Sequence, residues 1–202
     1  MVEAARRRAS EVGLEEGAEL VLRVEDATAL TLVGRSVDGV LCRWGLMLVP
    51  SPPQAAEEIA RVLRPGGRAA VAVWGDPERN EWMTAAGRSA LELGLIERPD
   101  PEAPGPFRLA ADGALEDVLA GAGLRVETVE EVAITWRASS LGEWWDVIGD
   151  VSRMLAQLLE EVDPADAKRL EAGARRRLER YAGEDGSVAV PGLTRVALAS
   201  RP

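Results

Sequence analysis

Apolar residues recur at three different spacings along the chain, and the changes of spacing mark its elements. Val2, Ala5, Ala9 and Val12 follow helical periodicity up to a stop at Gly13. No Ser, Thr, Asp or Asn precedes this helix to satisfy its first N–H groups, so the pattern reads as a chain that starts inside an element. From Glu19 to Val24 the period drops to two, with Leu20, Leu22 and Val24 on one face, which predicts a strand near a sheet edge. Val37 to Cys42 is more continuously apolar and predicts a central strand. Ser51-Pro52-Pro53-Gln54 then opens a helix with an N-cap, a proline in the first turn and a capping-box Gln. Ala55, Ile59, Val62 and Leu63 line one face of it, Arg64-Pro65-Gly66-Gly67 ends it, and Ala69 to Trp74 follows as a buried strand.

Between Asp76 and Asp112 the chain is proline-rich and irregular apart from a helical pattern around Trp82 to Leu93. Asp112 is placed to cap a short helix through Leu115, Val118 and Leu119 that ends at Gly123. Val126 to Trp136 predicts a strand with a bulge at Glu130-Glu131. Ser140-Leu141-Gly142-Glu143 is a capping box opening an apolar helix through Leu158, and Asp163-Pro164 opens another that runs to Tyr181. A turn at Gly183 to Gly186 leads to a closing strand from Leu193 to Ala199. The order predicts one α/β domain over residues 1–202, with a helical hairpin at 141–183 inserted between its last two strands. In such sheets ligands sit at the carboxyl ends of the parallel strands, here Val24-Glu25-Asp26-Ala27, Cys42-Arg43-Trp44-Gly45 and Trp74-Gly75-Asp76.

Composition narrows the chemistry. The formal charge of -10 argues against a nucleic-acid partner, which needs concentrated Lys and Arg. The clusters Arg6 to Arg8 and Arg175 to Arg177 fall on helical patterns among acidic neighbours and read as solvated faces. Apolar runs are strand-length, too short for a membrane span, and a basic amino terminus without an apolar run behind it is not a secretory signal. The single Cys42 excludes an internal disulfide and suits a reducing cytoplasm, and it reads as a packed small residue. With no histidine, a His triad, a His metal site and a His general base are all excluded. No catalytic side chain and no metal site is assigned.

Three stretches together carry a family resemblance: Arg43-Trp44-Gly45-Leu46-Met47, Arg79-Asn80-Glu81-Trp82-Met83 and Pro104-Gly105-Pro106-Phe107-Arg108-Leu109. With the Pro-Gly-Gly stop and the strand after it, they resemble class I S-adenosylmethionine-dependent methyltransferases over roughly the whole chain. The resemblance implies a Rossmann-like, mostly parallel sheet with an antiparallel last strand. It also implies S-adenosylmethionine as cofactor, with Asp26 and Ala27 at the adenine ring and Arg43-Trp44-Gly45 passing beneath the cofactor. A small-molecule acceptor would then lie against Trp44, Trp82, Phe107, Trp144 and Trp145. Read without the resemblance, Asp26 is a turn or cap residue, the tryptophans are core, and Arg43 is a surface ion pair.

The sequence departs from the family in one large respect. The family's Gly-x-Gly loop after a first strand, and the carboxylate ending a second, have no counterpart; Gly66-Gly67 precedes its strand, and Gly121 to Gly123 closes a helix. The expectation is an amino-terminally truncated member with an incomplete sheet, a gap of about 10 Å beside Val37–Cys42, and loosely packed first residues. Two functions follow: methyl transfer to a small molecule, or an inactive methyltransferase-like remnant with an interaction or structural role.

Overall fold

The computed structural model describes residues 2–14, 20–101 and 103–202. Four strands form one sheet: β1 (Val37–Arg43), β2 (Leu63–Trp74), β3 (Arg125–Ala138) and β4 (Val188–Ser200), in the order β1-β2-β4-β3. β1 and β2 run parallel, with Leu41 beside Ala70 and Arg43 beside Ala72. β4 is antiparallel to both its neighbours, β2 and β3. The α/β class, the parallel pair and the reversed last strand are therefore as the sequence predicts.

Helix α1 (Val2–Glu11) is mostly exposed, with Ala9 its one buried residue, and it ends at Gly13 in a left-handed conformation. α2 (Pro52–Val62) begins where Ser51 Oγ accepts from Gln54 N–H, and its apolar stripe Ala55, Ala56, Ile59 and Val62 is buried. α2 and α4 (Ala114–Gly121) cover the sheet face that carries Ala69, Val71, Ala197 and Ala199, each fully buried. α3 (Glu81–Glu92), α5 (Leu141–Val151), α6 (Arg153–Glu161) and α7 (Pro164–Leu178) gather toward the other face, where Trp82 of α3 meets Trp74 and Trp136.

Several elements differ from the sequence prediction. Residues 20–24 form no strand, and Glu19 lies outside the described residues. Alternating apolarity makes a strand only beside a partner ladder, and Val21 and Val24 remain exposed without one. β1 is an edge strand, not a central one. α2 stops at Val62, and extended backbone resumes at Leu63, so Pro65-Gly66-Gly67 falls inside the β2 span, with Gly66 at φ 78. Asp112 does not cap α4; left-handed Gly113 occupies that position while Asp112 faces Arg195. The β3 irregularity falls between Val126 and Thr128, four residues before Glu131. The helix predicted from Ser140 to Leu158 breaks at Ser152, whose hydroxyl caps α6 by accepting from Leu155 N–H. The inserted helical hairpin thus has three helices.

Candidate functional site

The carboxyl end of β1 turns sharply at Trp44, which adopts a left-handed φ of 55, unusual for a large side chain. Three interactions hold it there. Trp44 N–H donates to Ala72 O at 2.9 Å, Trp44 Nε1–H donates to Thr194 Oγ1 at 2.9 Å, and the ring stacks on Trp74 with centroids 4.3 Å apart. Thr194 in turn donates to Val73 O at 2.7 Å. Arg43 lies over the Trp44 ring, 5.0 Å from its centroid. Edge-on contact from Trp74 to Trp82 and stacking of Trp82 on Trp136 extend the ladder from the turn after β1 through β2 and α3 to β3.

On the opposite sheet face, a pocket of about 250 Å³ opens between β1 and α2. Its lining is Ala27 and Leu30 from the preceding loop, Val40 and Cys42 from β1, Gly45, Leu46 and Val49 beyond the turn, and Ala55 and Ile59 from α2. The loop is placed by two carboxylates. Glu25 accepts from Thr31 N–H and Thr31 Oγ1, bonds that draw its carboxyl below the usual range. Glu58 of α2 accepts from Arg61 and from Leu30 N–H; the Arg61 bond is the main cause of its lowered pKa, against a smaller upward pull from burial. Arg61 then donates to Leu30 O and Leu32 O. These contacts carry Ala27 to the pocket mouth.

The predicted site residues are distributed as follows. Ala27 and Gly45, eighteen positions apart in sequence, line the same pocket. Asp26 is exposed, and its Oδ1 accepts from Thr28 N–H and Oγ1, bonds that lower its pKa. Trp44 and Arg43 stand on the other face with Trp74. Trp82 and Trp144 are buried side chains, Trp144 donating through Nε1 to Trp82 O at 2.8 Å, with Trp145 tilted against Trp144. Phe107 belongs to a segment docked on the chain that follows the Trp44 turn, held by Gly105 N–H on Met47 O and by Arg108 on the carbonyls of Val49 and Pro50.

Asn80 is the residue whose role the sequence did not reveal. Fully buried, its Nδ2 donates to Asp76 O and Leu193 O, each at 3.0 Å, and its Oδ1 accepts from Leu193 N–H at 3.0 Å. Gly75 N–H also donates to Leu193 O, so the Asn80 amide continues the β2–β4 ladder past the end of β2. A polar residue just ahead of an apolar helix reads as an N-cap, yet Asn80 makes no such cap bond. Trp74 and Thr194, which fix Trp44, also went unassigned. Among the described residues there is no cluster of potential metal ligands, and no helix is long and apolar enough to cross a membrane.

The mixed four-stranded sheet and the helices that flank it are shared with solved structures of methyltransferase-like fold. Solved structures agree over the whole chain. A Bacillus halodurans C-125 protein assigned as a methyltransferase is 16% identical, with a TM-score of 0.56, covering 100% of this chain and 78% of its own. YcgJ from Bacillus subtilis is 18% identical, with the same TM-score of 0.56 and coverage of 100% and 78%. The [4+2]-cyclase SpnF is 21% identical, with a TM-score of 0.54, covering 100% of this chain and 62% of its own. No curated protein matches the chain. The sequence profile of the methyltransferase domain matches residues 1–71. That match spans about a third of the chain, and over the whole chain the likeness to these solved structures is one of fold.

Proposed function

We propose that this chain carries the adenine-binding part of a site for S-adenosylmethionine-dependent methyl transfer to a small-molecule acceptor, with the adenine ring seated between Ala27 and Gly45. One observation carries the reading: Ala27 in the loop before β1 and Gly45 just beyond β1, far apart in sequence, converge on one apolar pocket. When bound, the sulfonium supplies a methyl group together with its own leaving group, so alignment and exclusion of water are the protein's main tasks. The absence of histidine is compatible with that division of labour.

The pocket suits part of the cofactor. Its lining is apolar and about 250 Å³ in volume, below the range that holds a whole drug-sized ligand, and a Cβ on Gly45 would crowd Cys42 Sγ at 3.3 Å. These features fit a flat base. No lining side chain carries a charge to meet ribose hydroxyls or the charged amino-acid end. The rigid Arg43-Trp44 turn separates this pocket from the aromatic face, where an acceptor of apolar surface would lie.

Saturation-transfer NMR with millimolar adenosine tests the reading. The base protons are expected to receive saturation from the wild-type chain and to lose it in Ala27→Trp, which fills the mouth from an exposed position. Absence of transfer, or equal transfer in both proteins, refutes the assignment. By calorimetry S-adenosylmethionine should bind this chain too weakly to register; micromolar affinity would contradict a pocket restricted to the base.

A further inference from the structure

The segment from Pro104 to Leu109 contributes no lining residue to the base pocket, yet it holds one of the pocket's walls. Pro104 and Pro106 fix the backbone on either side of Gly105. Two successive turns follow, Arg108 N–H donating to Gly105 O at 3.3 Å and Ala110 N–H to Phe107 O at 3.0 Å, with Leu109 buried in the core. The segment is thus a stiff strap, and its further bonds reach the stretch between β1 and α2. Gly105 N–H donates to Met47 O at 3.2 Å, and one nitrogen of Arg108 donates to Val49 O at 2.9 Å and to Pro50 O at 3.0 Å.

That stretch cannot satisfy the two carbonyls from its own backbone. A turn would bring each one a donor from three residues further on, and here those residues are Pro52 and Pro53, which have no N–H. The next two amides are already engaged, Gln54 N–H by Ser51 Oγ and Ala55 N–H by Ser51 O. Arg108 supplies the missing donors from 58 residues beyond Pro50. Val49 and Leu46, which lie on this stretch, close the pocket together with Cys42 of β1 and Ile59 of α2. A rigid group behind a lining residue sets the shape of a site as firmly as the lining itself.

We infer that Arg108 is a positioning residue of this pocket. By satisfying Val49 O and Pro50 O it sets how far the Leu46–Val49 wall stands from Cys42 and Ile59, and so whether a flat base is gripped. Without those donors the stretch swings outward to hydrate its carbonyls and the pocket widens. The nature of the ligand rests on the base assignment proposed above; the setting of the wall does not.

Cys42, the one cysteine of the chain, lines the pocket and reads its width without any ligand. Its alkylation by bulky pyrenylmaleimide is measured relative to that by small iodoacetamide, with circular dichroism to verify folding. In Arg108→Met, which keeps the apolar stem and loses the donors, this ratio is expected to rise about tenfold, the factor by which one hydrogen bond from a charged donor favours the closed wall. Arg108→Lys, whose ammonium can donate to both carbonyls, should bring the ratio back to within about twofold of wild type. Gly192→Ala strains β4, two strands away from β1, and should leave the ratio unchanged, which separates loss of the wall from loss of stability. Saturation transfer to adenosine should fall in Arg108→Met and recover in Arg108→Lys. An unchanged ratio in Arg108→Met, an equal rise in Gly192→Ala, or undiminished adenosine transfer in Arg108→Met overturns the inference. If Arg108→Met does not fold, Arg108→Gln is judged by the same ratio and the same criteria. A raised ratio with no adenosine transfer even in wild type removes the base assignment and leaves the role of Arg108 standing.

Discussion

Replacing Asn80 by alanine tests whether one side chain joins the two halves of the sheet's carboxyl end. The amide is fully buried and makes 3.0 Å bonds to Asp76 O, Leu193 O and Leu193 N–H. In Asn80→Ala, Leu193 O keeps its bond from Gly75 N–H, but Leu193 N–H loses its bond to Asn80 Oδ1. An orphaned buried donor costs about 1–3 kcal/mol, and loss of the remaining amide bonds with partial collapse of the site brings the expected total to ~2–4 kcal/mol. For a chain of this size that corresponds to a drop in Tm of roughly 4–16 °C. Asn80→Asp should be at least as damaging near neutral pH, since a carboxylate would face the carbonyls of Asp76 and Leu193 that now receive the amide protons. Urea unfolding followed by tryptophan emission measures both variants, because Trp74 and Trp82 lie beside the lesion. A loss below about 0.5 kcal/mol for Asn80→Ala would refute the account, leaving Asn80 as an ordinary helix-start residue.

Two further outcomes follow from local geometry. In Gly192→Ala the new Cβ would lie 2.9 Å from Ile134 Cγ1 and 3.0 Å from both Asn80 Oδ1 and Trp82 Nε1, so overpacking should cost about 1–3 kcal/mol in denaturant titration; an unchanged midpoint would contradict it. Glu143 Oε2 accepts from Ser139 Oγ and Ser139 N–H, and these bonds lower its pKa, the hydroxyl bond most. Its stabilising contribution is therefore complete above the carboxyl's unfolded pKa and disappears as pH falls through the lower folded value. The unfolding midpoint of Glu143→Gln should accordingly fall less steeply than wild type as pH is lowered from about 6 to about 3; identical slopes would refute this.

Much of the fold is written locally and was therefore legible. Ser51, Ser140 and Asp163 cap the helices they precede, and the apolar runs before Cys42 and Trp74 become the parallel pair. What periodicity does not carry is the neighbour. Leu20 to Val24 alternates like a strand, but a strand requires a ladder, and among the described residues it joins no sheet. Ser152 is unremarkable inside an apolar helical pattern until its hydroxyl is seen to cap α6 and break the helix. At the candidate site Ala27 and Gly45, singled out by the resemblance, line one pocket, although no strand precedes Ala27. Nothing in the sequence signals that the Trp44 ring turns to the opposite sheet face, since that depends on Thr194, 150 residues away. The Asn80 contacts with Leu193, 113 residues apart, were hidden for the same reason.

β2 and β3 are consecutive strands, yet they do not touch; β4, made after both, occupies the slot between them. A ribosome releasing this polypeptide from its amino end therefore cannot complete the sheet until about residue 200 has emerged. Until then the inner edges of β2 and β3 stand open, and Trp44 waits for the threonine that secures its indole. Folding of this protein during translation is an end-loaded event, and ribosome stalling within the stretch coding for Val188 to Ser200 would expose two sticky strand edges at once.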